Sequence, residues 1–160
     1  MEYLFEILRD GLFAAIAAIG FSSISNPPAR VFAPCALIAA IGHMTRFVLM
    51  NSCAMSLTAA SSIAGLVIGL LALPAARGVK APSECIFLPS LLPMVPGMYA
   101  YRSIQALMGC LSGGSQESFA HYLYLLRFNW MTCMATIVGM VVCATLPVFI
   151  FKFFAFKVTK

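Results

Sequence analysis

The chain has 160 residues, 62% of them hydrophobic and 9% charged, with a mean hydropathy of +0.97 and a formal net charge of +5. Charge that sparse excludes an ordinary soluble domain and points to an integral membrane protein. Its ten basic residues form no clustered face with interleaved aromatics, which excludes a nucleic-acid binder.

At about 20 residues per span, this length accommodates five or six helices with short loops. The reading is all-α: a polytopic integral membrane protein of about five transmembrane helices, in a single membrane domain over residues 1–160. The first span, about 3–24, opens with Glu2, Glu6 and Asp10 against Arg9, then turns apolar and Ala-rich. A signal peptide needs a positive start, so this segment is expected to stay as a membrane helix. Ser25-Asn26-Pro27-Pro28 ends it.

The second span, about 31–50, carries His43 and Arg46 on one helical face. A charge at that depth either faces the bundle interior or snorkels to the interface, and both readings stand for Arg46. Histidine is the side chain whose charge changes near neutral pH, so His43 is a candidate for proton coupling. A hydrogen-bonded packing histidine is the alternative. The third span, about 54–74, contains Gly65-Leu66-Val67-Ile68-Gly69, whose small residues suit close helix approach. Gly65 and Gly69 serve either an oligomer face or packing within the chain. Pro74 to Pro82 reads as a loop.

The fourth span, about 85–111, is interrupted by Pro89, Pro93 and Pro96 with Gly97. Each proline lacks an amide donor and pushes its predecessor away from helical angles, so a proline-broken helix is expected. Broken backbone at membrane depth survives only inside protein or beside water, which marks a pathway or binding element. Pro96 suits the first turn of a restarted helix from Gly97 to about Cys110, whose free amides would face an anion such as a carboxylate. Arg46 and Arg102 offer planar guanidiniums for the same group, and Tyr101 a hydroxyl. The substrate-binding candidates are therefore Arg46, Pro93, Pro96, Gly97, Tyr101 and Arg102. The fifth span, about 119–151, follows a Gly/Ser-rich turn and carries Tyr122, Tyr124 and Trp130 as interface anchors.

With five spans, Arg30, Arg77 and Lys80 share a side with the tail lysines Lys152, Lys157 and Lys160. The positive-inside rule then places the N-terminus outside and the C-terminus in the cytoplasm. Six cysteines form no CxxC pair and read as small apolar residues. No HExxH, GxSxG or P-loop pattern is present, so the expectation is no enzyme, no cofactor and no metal site.

Three blocks carry a family resemblance: Asn26-Pro27-Pro28-Ala29-Arg30; Gly42-His43 followed by Arg46; and Leu92-Pro93-Met94-Val95-Pro96-Gly97 followed by Tyr101. Over roughly residues 10–110 the chain resembles the threonine/serine exporter (ThrE) family, and within it the small, separately encoded membrane subunit. The doubled Pro27-Pro28 departs from the single proline expected there. The resemblance implies export of small amino acids or small carboxylates across the bacterial inner membrane. It also implies a larger membrane subunit as partner and a small anionic or zwitterionic substrate bound near the broken helix Pro89–Gly97. Two other readings stay open: a non-transporting scaffold subunit, and a homo-oligomeric pore.

Overall fold

A computed structural model describes residues 1–112 and 114–151. The tail lysines Lys152, Lys157 and Lys160, on which the expected cytoplasmic C-terminus leans, lie outside the described residues. Among the described residues the secondary structure is helical, with no strand. The order is α1 (Glu2–Ile24), a 3₁₀ turn Ala29–Val31, α2 (Phe32–Ser52), α3 (Leu57–Val79), α4 (Glu84–Leu91), a 3₁₀ turn Leu92–Met94, α5 (Gly97–Leu111) and α6 (Gln116–Ile150). By length and composition, Ala29–Ser52, Leu57–Val79 and Gln116–Ile150 are long and apolar enough to cross a membrane, and Glu84–Met94 is a shorter apolar helix. The 35 residues of α6 extend roughly 50 Å at 1.5 Å per residue, well beyond a bilayer's hydrocarbon core.

Helix ends follow local chemistry. Ser56 caps α3, its side chain accepting from the Ala59 amide at 3.4 Å. At the other end, Lys80 takes a left-handed φ of 51°, and its amide reaches the carbonyls of Ala76 and Arg77. Arg30 Nη2 donates to the Lys80 carbonyl at 3.3 Å, tying the two loops together. Two prolines expected to end helices do not. Pro74 lies inside α3, which continues to Val79, and Pro89 lies inside α4. Each costs one amide donor, which a helix held by its neighbours tolerates.

The chain divides into two compact units: Met1–Met94 with the chain from Gly139 on, and Val95–Val138. In the first, α1 and α2 pair through small residues, with Ala18, Cys35 and Ala39 buried together. Tyr3 and Ser52 close this pair, their hydroxyl oxygens 2.8 Å apart. A second core joins Ile38 of α2, Ala64, Ile68 and Ala72 of α3, Ile86, Phe87 and Leu91 of α4, and Met140 and Ala144 of α6. Glycine makes the α3–α6 approach possible. A Cβ on Gly65 would stand 2.6 Å from the Met140 carbonyl oxygen, and one on Gly69 would strike that of Ala144. The glycine pair is thus engaged within the chain. In the second unit, Gly109 of α5 lies against the ring of Tyr122 in α6, with a Cβ position 2.6 Å from that ring.

Candidate functional site

The site in the first unit grows out of a break in the helix ladder. Between α4 and the start of α5 the chain makes one 3₁₀ turn, Leu92–Met94. Pro96 has no amide to offer the Leu92 carbonyl, and Gly97 N–H bonds Val95 rather than Pro93. The Pro93 and Met94 carbonyls are therefore left for side chains, and α2 supplies them. Arg46 Nη1 donates to Met94 O at 3.0 Å, and His43 Nε2 lies 3.3 Å from Pro93 O.

His43 is the centre of this cluster and is 7% exposed. Its Nδ1 is 2.8 Å from Asp10 Oδ2, so α1 joins α2 and the 3₁₀ turn at one imidazole. Arg46 Nη2 straddles the ring, 3.5 Å from Nδ1 and 3.3 Å from Nε2. The ring thus has an acceptor at each nitrogen, a carboxylate and a carbonyl. Those two acceptors match an imidazolium, which donates from both nitrogens. A neutral ring donates to only one of them. Whether the ring donates to the Pro93 carbonyl therefore depends on which of its nitrogens carries a proton.

Asp10 connects this buried cluster to water. Its side chain is 33% exposed. With Glu6, Arg9, Phe13, Phe47 and Asn51 it lines an open groove of about 740 Å³.

The sequence candidates fall into two groups. His43, Arg46 and Pro93 meet in the first unit, Pro93 contributing its carbonyl. Pro96, Gly97, Tyr101 and Arg102 belong to the second unit. There Pro96 is buried ahead of α5, Gly97 is exposed with nothing within 4 Å of a Cβ position, and Tyr101 is 62% exposed. Arg102 lines a cavity of about 530 Å³ with Gln105, Tyr122, Phe128 and Asn129. Asp10 and Gln105 were not among the sequence candidates for binding or coupling. The signal for Asp10 was an acid entering an apolar helix, which calls for a basic partner on a neighbouring one. Among the described residues no cluster of three His, Cys, Asp or Glu side chains suits a metal ion.

A family model described as "Threonine/Serine exporter, ThrE" matches residues 10–117, which takes in Asp10, His43, Arg46 and the whole of the broken segment. An uncharacterized protein of Haemophilus influenzae is 33% identical over 106 residues, covering 66% of this chain and 35% of that protein. The chain thus spans about a third of that relative's length. No solved structure matches.

Proposed function

The chain belongs to the threonine/serine exporter (ThrE) family, and on that premise we propose that it is the small membrane subunit of a secondary exporter of threonine, serine or small carboxylates. The carrying observation is the clamp of Asp10, His43 and Arg46 on the carbonyls of Pro93 and Met94. A transporter needs a break in its helices where backbone polarity is available, and a charged group that links the break to a second ion. Here His43 takes and gives the coupling proton. In its doubly protonated form the ring holds Asp10 and the Pro93 carbonyl together, while Arg46 holds the Met94 carbonyl beside it. Asp10 orients the ring and exchanges protons with water through the groove it shares with Glu6 and Arg9.

The proton linked to substrate movement makes this chain a carrier rather than an enzyme. It sits in the bacterial inner membrane with about five crossings, α4 and α5 forming one broken crossing, its N-terminus outside and its C-terminus in the cytoplasm. A larger membrane subunit completes the pathway. That reading is in keeping with a relative in which the matching segment makes up 35% of the protein.

Efflux from preloaded cells tests the proposal, with labelled threonine and a labelled small dicarboxylate, and with this chain alone or beside its larger subunit. Efflux that needs both chains supports the two-subunit exporter. Efflux by this chain alone favours a homo-oligomer. Absence of efflux for either compound in every combination refutes the transport reading in favour of a scaffold.

A further inference from the structure

The two ends of the first unit differ in charge. The start of α1 carries Glu2, Glu6 and Asp10 against Arg9. At the other end, the turn after α1 and the turn between α3 and α4 bring together Arg30, Arg77 and Lys80, all exposed. Arg30 Nη2 donates to the Lys80 carbonyl at 3.3 Å and so joins these turns, while the Lys80 amide reaches the Arg77 carbonyl at 3.3 Å. Glu84, at the start of α4, is the acid of this end. It is exposed and makes no ion pair among the described residues. Three cations thus face one acid.

Beside these cations α3 offers an apolar groove. Leu70, Leu73, Pro74 and Arg77 share one face of that helix, and with Phe151 they line an open space of about 360 Å³. The strip rises roughly 10 Å from Leu70 to Arg77 at 1.5 Å per residue. α3 is long and apolar enough to cross a membrane, and Arg77 stands in its last turn. Leu70 is 44% exposed and Phe151 42%, so in a bilayer the groove opens to the acyl chains around it. An apolar wall that ends in a guanidinium fits a molecule that is apolar along its length and anionic at its head. A free anion would engage the cations alone and make no use of the wall.

We propose that this groove binds an anionic phospholipid, with an acyl chain along Leu70, Leu73 and Pro74 and the headgroup phosphate on Arg77, Lys80 and Arg30. Planar guanidiniums suit a phosphate in bidentate contact, and cations clustered at a helix end favour anionic over zwitterionic headgroups. The site is separate from the clamp of Asp10, His43 and Arg46 and does not depend on the exporter reading.

Native mass spectrometry of the full chain, released from detergent with dioleoyl phosphatidylglycerol or dioleoyl phosphatidylethanolamine added, tests it. The two lipids share their chains and differ in headgroup charge. Phosphatidylglycerol is expected to bind the wild type roughly tenfold tighter or more, the scale of several cations acting together. Arg77→Gln and Lys80→Gln are each expected to weaken it by roughly fivefold, and the combined change of Arg30, Arg77 and Lys80 to Gln by more. Arg127→Gln, which removes the same charge from the second unit, is expected to leave it unchanged. Leu70→Asn is expected to weaken both lipids, because it interrupts the apolar wall and leaves the cations in place. Circular dichroism and elution volume confirm that each variant is folded, and Lys80→Gln decides the charge question if Arg77→Gln does not fold. Equal affinity of the wild type for the two lipids overturns the proposal. So does phosphatidylglycerol binding that the folded charge variants leave unchanged, or that Arg127→Gln weakens as much as they do. Inorganic phosphate separates the lipid from a free anion: it is expected to leave bound phosphatidylglycerol in place, and its displacing the lipid would make this an anion site and overturn the assignment.

Discussion

Single positions in this chain respond to substitution according to what their backbone touches. Gly69 has no room for a side chain, because a Cβ would strike the carbonyl oxygen of Ala144, and backbone cannot rotate away. Gly69→Ala is expected to destabilise by about 1–3 kcal/mol, the usual cost of overpacking. A Cβ on Gly139 would instead meet the Ser62 hydroxyl, the end of a side chain that can turn aside. Gly139→Ala is therefore the milder change, and thermal melts in detergent rank the two. Equal melting temperatures would refute the α3–α6 packing. Lys80 offers the opposite case. Its left-handed φ of 51° at the end of α3 strains any residue with a Cβ. Lys80→Gly removes that strain and keeps the backbone bonds, for a gain of about 0.5–1 kcal/mol after the entropy of the unfolded glycine is subtracted. A lower melting temperature in the glycine variant would refute this.

Between elements, the decisive contact is that of α1 and α2 with the 3₁₀ turn. Arg46→Gln removes the charged donor from the Met94 carbonyl, a loss of about 1.5–3 kcal/mol for a bond to a charged group. Hydrogen exchange over residues 92–98 is expected to rise in that variant, and unchanged protection there would show that the break holds without Arg46. His43→Gln keeps a polar group and removes the titration. Export by the wild type is expected to depend on pH, and export by His43→Gln to be slow and flat across the same range. An imidazolium at His43 bonds Asp10 and Pro93 together, and a neutral ring keeps one of those bonds. A pH profile of His43→Gln that parallels the wild type would move proton coupling elsewhere. Asp10→Asn separates the orienting carboxylate from the titrating ring, since it removes the charge opposite Nδ1 and leaves an acceptor.

At the scale of the whole molecule, the proposal makes a statement about sides. With the N-terminus outside and about five crossings, the turn after α2 faces outward and the turn before it inward. Cys53 lies exposed between α2 and α3. In a variant that keeps Cys53 as its only cysteine, that residue is expected to react with a membrane-impermeant maleimide in intact spheroplasts. Arg30→Cys in a cysteine-free background is expected to react only after lysis. The reverse pattern would invert the chain in the membrane.

The membrane class, the helical content and the approximate segments were legible in the sequence, because hydropathy and turn residues act locally and need no partner. That His43, Arg46 and the proline run need polar partners was legible too, since polar side chains and missing amides inside apolar segments cannot be left unpaired. Helix ends were less so: Pro74 and Pro89 look like breaks, yet α3 and α4 run through them because neighbouring helices hold the backbone in place. Only tertiary structure decided which charges meet. Asp10 is 33 positions from His43, and Pro93 is 50 from it, and no local pattern says that an acid at the start of one helix will face an imidazole late in the next. The glycines of α3 make the same point, since a GxxxG pattern announces close approach but not to what, and here the approach is to the α6 backbone. Sequence determined which groups could not be left alone in a membrane. Packing determined their partners, because partners are chosen by distance in space.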